Sequence, residues 1–259
     1  MLLTHVAKIP APGQDGCAHE MNYLDLTLPT PAENLACDEA LLDGAEEHGG
    51  PGVVRFWESA RHFVVLGYAN KVNEQADVAA SRQLGVPILR RCSGGGAVLQ
   101  GPGCLNYCLI LKMEEAAPQP SITATNSFVM QRNAQALAKL LGKPVTIEGF
   151  TDLAVGQLKF SGNAQRRKRN WLLFHGTFLL DVDFGLMEQL LPLPARQPAY
   201  RERRSHAAFL TRLAVPSGVI KDALRETWSA LQPHVELPRA DISRLVLEKY
   251  AADEWNFKW

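Results

Sequence analysis

Three consecutive glycines that follow two arginines form the stretch of this sequence with the clearest capacity for chemistry. Arg90 and Arg91 precede Ser93 and the glycines Gly94–Gly96. Consecutive glycines cost conformational entropy, so they are kept where the backbone must approach a neighbour closely or adopt positive φ. Guanidinium groups and exposed glycine N–H groups favour a phosphate or carboxylate ligand. The spacing matches neither the dinucleotide-binding nor the P-loop pattern, and a plain glycine-rich hairpin explains the stretch equally well.

A lysine on a strand that leads into Ser-Gly-Asn is the second candidate. Lys159 at this place could direct its ammonium group into a pocket, although a lysine on an edge strand is usually solvated. His175 lies in an apolar strand, where a lone histidine is more often a satisfied core residue than a catalyst. The basic run 166–169 suggests nucleic-acid binding, but a short run at a loop tip is more often a solvated surface.

Composition limits the function classes. The 259 residues carry 27 Lys+Arg and 27 Asp+Glu, so no basic excess supports a nucleic-acid partner. The chain has no apolar stretch long enough to span a bilayer, so we expect no membrane association. The five cysteines are scattered, which favours a reducing cytoplasm over a disulfide framework.

The apolar patterning predicts strands and helices in irregular alternation, and therefore an α+β fold with a mixed central sheet flanked by helices. We expect a poorly ordered tail over residues 1–20, a main domain over 21–213 and a helical C-terminal extension over 214–259. The predicted strands are Met21–Leu28, Val53–Trp57, His62–Leu66, Pro87–Arg91, Leu105–Leu111, Asp152–Val155, Leu158–Phe160 and a segment of Trp171–Asp181. The predicted helices are Glu33–Ala45, Asn73–Leu84, Ser121–Leu141, Leu186–Leu191, Ser217–Gln232 and Asp241–Tyr250.

The glycine stretch and the lysine stretch together resemble the lipoate–protein ligase A family, within the biotin/lipoate protein ligase catalytic-domain superfamily. The matching segments occur in the family's order over nearly the whole chain. They are Asn34–Ala36, Trp57, Val64–Gly67, Arg90–Val98, Leu105–Tyr107, Thr151–Leu153, Lys159–Ala164, His175–Thr177 and Glu254–Asn256.

The resemblance implies a mixed sheet flanked by helices, here without the family's accessory domain. It also implies that ATP and Mg²⁺ activate lipoate or octanoate as acyl-AMP. The acyl group then passes to a lysine of a lipoyl carrier domain, such as the E2 of a 2-oxo-acid dehydrogenase or the glycine-cleavage H protein. Negative charge that develops on the phosphoryl and carbonyl oxygens needs fixed positive partners, and the resemblance makes Lys159 the catalytic residue that supplies one.

Further site residues follow from the same resemblance. Arg90, Asp152 and Lys159 are expected to bind the nucleotide, and Asp152 to place the magnesium ion. The acyl or lipoyl group is expected to contact Arg91, Ser93, Gly94, Gly95, Gly96, Ala97, Asn106, Ser161, Gly162, Ala164, His175 and Gly176.

Two departures from the family pattern leave alternatives open. The His-Asp pair that usually follows the glycine stretch is Gln100-Gly101 here, and the Asn that usually precedes Asp152 is Thr151. One alternative is an ATP-independent octanoyl or lipoyl transferase acting from acyl carrier protein or a lipoyl domain, although its cysteine position reads Glu148–Phe150 here. Another is a non-catalytic binder of lipoate or lipoyl domains. We expect a monomer, and any accessory domain would be a separate protein.

Overall fold

The computed structural model describes residues 21–116 and 121–259, so the predicted tail over residues 1–20 lies outside the described residues. The strands within this part are β1 (Met21–Asp25), β2 (Gly52–Trp57), β3 (Phe63–Leu66), β4 (Ile88–Arg90), β5 (Val98–Gln100), β6 (Cys104–Lys112), β7 (Thr146–Glu148), β8 (Asp152–Val155), β9 (Leu158–Arg167), β10 (Trp171–Leu179) and β11 (Gln232–Pro233). The α-helices are α1 (Pro31–His48), α2 (Val72–Gln75), α3 (Val78–Gln83), α4 (Met113–Ala116), α5 (Ile122–Leu141), α6 (Phe184–Leu190), α7 (His206–Phe209), α8 (Ser217–Thr227), α9 (Arg239–Leu245) and α10 (Asp253–Asn256). A 3-10 helix spans Ala199–Arg201, and a π-helix spans Val246–Tyr250 directly after α9.

Two sheets form the framework. Among the described residues the larger sheet has eight strands in the order β11-β1-β2-β6-β10-β9-β8-β7, and the smaller one has the order β4-β3-β5. Strand β1 runs parallel to β2 and β11, whereas the pairs from β2 through β6, β10, β9 and β8 to β7 are antiparallel. The predicted mixed central sheet is confirmed.

Helices cover both faces of the larger sheet. On one face α5 and α8 contribute Val129 and Ile220 to an apolar cluster that includes Leu109 of β6. On the other face α1 and α9 contribute Leu42 and Ile242 to a cluster that includes Cys108 of β6. The smaller sheet has a third apolar cluster of its own. The predicted arrangement of helices around a sheet is therefore confirmed.

The C-terminal residues belong to the same cores. Trp228 donates its indole N–H to Asn133 of α5 at 2.9 Å, and Tyr250 donates to Glu39 of α1 at 2.7 Å. Strand β11 also pairs with β1, so residues 214–259 contribute sheet as well as helix. The predicted extension is thus an integral part of both helical layers.

Two predicted helices differ from those observed. The predicted helix Asn73–Leu84 is two helices, because Asp77 leaves the helical conformation and caps α3 by accepting from the Ala80 N–H at 2.9 Å. The predicted helix Ser217–Gln232 ends at Thr227, and Gln232 joins the sheet instead. By contrast, α5 begins after its Ser121 cap and ends before Gly142, as the sequence predicts. Gly142 adopts the left-handed conformation that commonly ends a helix.

A buried ion pair joins α1 to β2. The Arg55 guanidinium donates to Asp38 at 2.5 Å, with side-chain exposures of 0% and 4%. Arg55 also donates to the Asn34 carbonyl and side chain. Burial alone would raise the pKa of Asp38, but Arg55 and His175 outweigh it and the pKa is lowered. The pair fixes α1 on the sheet.

Replacing Asp38 by Asn should destabilise the protein strongly. Arg55 would then be a buried cation without its anion, and breaking such a pair costs about 3–5 kcal/mol. Urea unfolding at neutral pH measures this loss. Asp241→Ala, which removes the exposed partner of Arg244, is the control and should change the free energy of unfolding little. Equal small effects of both substitutions would contradict the structural role of the pair.

Candidate functional site

One face of the larger sheet carries a row of residues that crosses five strands. Trp57 of β2 pairs with Asn106 of β6, which pairs with Thr177 of β10. Thr177 pairs with Gly162 of β9, and Gly162 with Asp152 of β8. Directly paired residues lie on the same face of a sheet. This row, from Trp57 to Asp152, forms the floor of a pocket.

The pocket has a volume of about 450 Å³. The glycine turn over residues 94–96 walls one side through Gly95 and Gly96, and the segment 192–209 walls the other. Lys159 lines the same pocket. The structure therefore brings the glycine stretch and the lysine stretch, which are more than sixty residues apart in sequence, to one cavity.

A carboxylate holds the Lys159 ammonium in place. Lys159 Nζ lies 2.8 Å from Asp152 Oδ1, and the Tyr200 hydroxyl donates to Asp152 Oδ2 at 2.7 Å. Burial and the neighbouring carboxylate raise the pKa of Tyr200, so its phenol remains a donor. Asp152 thus links the lysine to the segment that closes the pocket. No motif in the sequence pointed to Tyr200.

Two glycines of the pocket lie against charged side chains. A Cβ on Gly162 would lie 2.8 Å from Lys159 Nζ, so this floor position can hold no side chain while the ammonium is there. Gly95 has φ +90, and a Cβ there would lie 2.8 Å from an Arg91 nitrogen. Close approach and positive φ are the two physical reasons that favour glycine.

Arg91 shapes the glycine turn from inside. Its guanidinium donates to the carbonyls of Gly94 at 2.6 Å and Gly96 at 2.9 Å, and to the Ser93 hydroxyl at 3.1 Å. Burial lowers the pKa of Arg91 to about 10, which leaves it charged at neutral pH. Its expected role in acyl binding is thus indirect, because these donors are engaged by the turn itself.

His175 connects the glycine turn to the buried ion pair. Its Nε2 lies 2.5 Å from Ser93 Oγ, and its Nδ1 lies 3.7 Å from Asp38 Oδ2. Burial lowers the pKa of His175, although Asp38 opposes the shift and Arg91 adds to it. The imidazole is therefore neutral at pH 7 and lines the pocket.

Arg90 corrects the expectation of a nucleotide-binding arginine. Its side chain is fully buried and does not line the pocket. It donates to the carbonyls of Gly67, Tyr68 and Asn70 and to those of the C-terminal residues Trp255 and Asn256. Guanidinium donors engaged in this way are not available to a phosphate, so Arg90 ties the C-terminal helix α10 to the segment behind the glycine turn.

Three further expected contacts are not at the pocket surface. Ser161 is buried on the opposite face of the sheet from Gly162, because side chains alternate along a strand. Ser93 lies behind His175, and Gly94 lies outside the lining. The remaining expected residues line the pocket: Arg91, Gly95, Gly96, Ala97, Asn106, Asp152, Lys159, Gly162, Ala164, His175 and Gly176.

The arginine-rich segment after α6 forms a side of the pocket. Arg201 is 6% exposed and lines the cavity. It donates to the Arg204 carbonyl, contacts His206 Nδ1 at 3.4 Å and lies over the Phe209 ring. Among the described residues, no carboxylate lies within ion-pair distance of Arg201. Burial lowers the pKa of Arg201 and the nearby Asp152 opposes the shift, so the pocket holds a buried cation that an anion would stabilise further.

The described cysteines are poor nucleophiles. Burial raises the pKa of Cys37, Cys92 and Cys104 to about 12 each, and that of Cys108 well above its ordinary value. At neutral pH these four residues are thiols, not thiolates.

At the pocket mouth, the turn before Asp152 carries Phe150, which is 89% exposed.

In residues 21–116 and 121–259, no group of three or more His, Cys, Asp or Glu side chains could hold a metal ion. None of the helices in this part has the length and hydropathy needed to cross a bilayer.

His175 should make the stability of the protein depend on pH. Its folded pKa is lowered, so the unfolded chain binds more protons, and the free energy of unfolding falls as pH drops through about 6.5. Urea unfolding between about pH 7.5 and 5.5 should show a smaller fall in His175→Gln than in the wild type. Part of the fall persists, because burial also lowers the pKa of His206 and His234. His48→Gln, at an exposed residue, is the control. An equal fall in His175→Gln and wild type would contradict this.

Comparisons with known proteins agree with the fold. Octanoyltransferase LipM of Geobacillus kaustophilus (strain HTA426) is 27% identical over 271 residues, covering 91% of this chain and 97% of the relative. A lipoate-protein ligase A structure with bound ATP superposes with a TM-score of 0.78 at 22% identity, covering 92% of this chain and 98% of that one. A bipartite lipoate protein ligase of Thermoplasma acidophilum, described with its E2 lipoyl domain, superposes with a TM-score of 0.78 at 23% identity, covering 92% and 96%.

The family model of the lipoyl protein ligase A/B catalytic domain matches residues 30–222, which include every pocket element described above. The chain therefore belongs to the lipoyl protein ligase A/B catalytic domain family, whose members include enzymes named as ligases and as octanoyltransferases.

Proposed function

We propose that this protein is a lipoate–protein ligase that activates lipoate or octanoate with ATP and transfers the acyl group to a lysine of a lipoyl carrier domain. The observation that carries the proposal is the Lys159 ammonium, fixed by Asp152 in a pocket walled by the glycine turn. In the first step a carboxylate oxygen attacks the α-phosphorus of ATP and pyrophosphate leaves. In the second step the acceptor amine attacks the acyl carbon, AMP leaves and one amine proton is released.

Lys159 has the donors that the first step requires. An ammonium group has three N–H donors, and Asp152 engages one of them. The others can meet the carboxylate and the α-phosphate oxygens, whose negative charge grows as the bond to phosphorus forms. The missing side chain at Gly162 leaves the space beside Nζ open.

Arg201 supports the binding of a polyanion. Its buried guanidinium faces the pocket with no carboxylate within ion-pair distance among the described residues, and Arg196 lies exposed on the same side. A nucleotide phosphate would supply the missing negative charge. In place of Arg90, we propose Arg201 and Lys159 as the nucleotide-binding cations.

Magnesium fits this site only together with the nucleotide. Magnesium ions are commonly held by one or two carboxylates plus substrate phosphates. Asp152 is a carboxylate at the same end of the floor as Lys159. Both of its oxygens already have one partner. Asp152 would therefore contribute a single ligand, and the phosphates and water would complete the coordination.

The buried cysteines favour the ligase over the cysteine-dependent transferase. A transferase of that kind needs a thiolate beside the pocket lysine. Cys37, Cys92, Cys104 and Cys108 have raised pKa values, and the segment Glu148–Phe150, expected to correspond to the transferases' cysteine position, contains no cysteine. The names of curated relatives such as LipM favour the second candidate, an ATP-independent octanoyltransferase.

The proposed acyl acceptor is a lipoyl carrier domain. We propose the cytoplasm as the compartment of the reaction, because scattered cysteines suit a reducing environment.

Lys159→Ala should abolish acyl-adenylate formation while leaving the fold intact. Loss of one preorganised donor to developing charge lowers the rate by about 10²–10³-fold. Purified protein is mixed with ATP, Mg²⁺ and lipoate or octanoate, and pyrophosphate and acyl-AMP are measured. Lys112→Ala, which removes an exposed lysine paired with Glu114, is the control and should keep full activity.

Two results of this assay would contradict the proposal. Full activity of Lys159→Ala would remove Lys159 from the mechanism. Absence of pyrophosphate in the wild type, combined with ATP-independent transfer from octanoyl-acyl carrier protein to a lipoyl domain, would assign the second candidate function instead.

A further inference from the structure

A chain of hydrogen bonds, which we call the amide relay, connects the helices α5 and α8 to the larger sheet. Trp228 donates its indole N–H to Asn133 Oδ1 at 2.9 Å, and Asn133 Nδ2 donates to the Tyr107 hydroxyl at 2.9 Å. The Tyr107 hydroxyl donates to Asn163 Oδ1 at 2.7 Å, and Asn163 Nδ2 donates to the Thr151 carbonyl at 2.7 Å. The relay therefore runs from α8 to the residue that immediately precedes β8.

The direction of the amide relay is fixed at both ends. The indole N–H of Trp228 can only donate, and the backbone carbonyl of Thr151 can only accept. Turning over the amide of Asn133 would set donor against donor, and turning over that of Asn163 would set acceptor against acceptor. Burial raises the pKa of Tyr107, so its hydroxyl keeps the proton that it donates. The relay thus holds a single arrangement.

The last link of the relay fastens the chain where it enters β8. Thr151 Oγ1 donates to the Asn163 carbonyl at 2.7 Å, so these two residues exchange a pair of hydrogen bonds. The neighbouring position of the same two strands is the pair of Asp152 and Gly162. On its other side Thr151 follows a turn that is exposed at Phe150. The bonds to Asn163 therefore restrain the backbone next to Asp152.

Gly176 leaves the space through which the relay passes. It pairs with Tyr107 of β6 and with Asn163 of β9. A Cβ at this position would lie 1.7 Å from Asn163 Oδ1 and 2.8 Å from a ring carbon of Tyr107. A side chain here would force the two partners apart, so the relay requires glycine at position 176.

We infer that Asn163 is a positioning residue for the proposed reaction, which holds Asp152 so that the Lys159 ammonium stays directed into the pocket. The inference rests on the proposed function for the role of Lys159. Asn163 acts through Asp152, because its own amide is engaged by Tyr107 and Thr151. Lys159 Nζ lies 2.8 Å from Asp152 Oδ1, so a shift of the carboxylate moves the ammonium with it. A misplacement of about 1 Å can lower a catalysed rate about 100-fold.

Asn163→Asp tests the inference, because the charge of the new carboxyl group switches the last link of the relay. The ionised form sets an oxygen against the Thr151 carbonyl, and the protonated form restores a donor. For acyl-AMP formation at about pH 8, kcat should fall about tenfold, with smaller changes in KM for ATP and the acid. The ratio of variant to wild-type kcat should rise as the pH is lowered to about 6, because a shielded carboxyl group facing a carbonyl has a raised pKa.

Two further variants complete the test. Asn126→Asp is the matched control, because the contact of Asn126 Oδ1 with Gln165 needs only an acceptor, which a carboxylate also provides. It should keep full activity throughout this pH range. Tyr107→Phe cuts the relay without adding a charge. It should lower kcat by the same factor at every pH, and it decides the question if Asn163→Asp does not fold.

Crystal structures of the ligand-free wild type and Asn163→Asp at about pH 8 give a readout that needs no activity. Asp152 and Lys159 should be displaced in the variant. Unchanged positions of these two side chains, a wild-type kcat, or a loss of kcat in Asn163→Asp that is equal at every pH overturns the positioning role, even if the wild type forms acyl-AMP. Displacement in the variant without acyl-AMP formation by the wild type supports the link from Asn163 to Lys159 and overturns the ATP-dependent ligase.

Discussion

The contact between the Lys159 ammonium and the bare backbone of Gly162 is the constraint on which the site depends. The ammonium group sits over the floor of the pocket, 2.8 Å from Asp152 Oδ1. A methyl group at position 162 would lie 2.8 Å from Nζ and force the ammonium group to move. Because Asp152 engages only part of the donor capacity of the ammonium, the remaining donors are directed at whatever enters the cavity. The chemistry that we propose follows from this arrangement.

The rest of the fold fixes the positions of the two walls of the cavity relative to its floor. Arg55 and Asp38 fix α1 on the sheet, His175 connects Asp38 to Ser93, and Arg91 holds the carbonyls of the glycine turn. On the other wall, Tyr200 connects the arginine-rich segment to Asp152. Both walls are therefore attached to the floor through polar contacts that are largely shielded from water, and such contacts are stronger there than in bulk solvent.

The sequence predicted the sheet and many of the elements, because strand alternation, helix caps and glycine stops are local signals. It also brought Lys159 and the glycine stretch to attention, and the structure places them in one pocket. Contacts between residues that lie far apart in the sequence could not be predicted from it. Tyr200 and Asp152 are 48 residues apart, and no spacing rule relates them. Arg90 and Arg91 are adjacent and chemically alike, yet only burial and carbonyl partners assign the first to the C-terminal helix and the second to the glycine turn. Ser161 was placed wrongly at the pocket because the resemblance gave the segment but not the face of the strand.

A crystal structure of the protein with a non-hydrolysable acyl-adenylate analogue tests the central claim most directly. Lys159 Nζ should lie within about 3 Å of both the acyl carbonyl oxygen and the oxygen that replaces the α-phosphate, as hydrogen bonding requires. The acyl chain should run along the floor beneath Gly95 and Gly96 toward Asn106. An analogue bound elsewhere, or bound in this cavity with Lys159 directed away from it, would contradict the account.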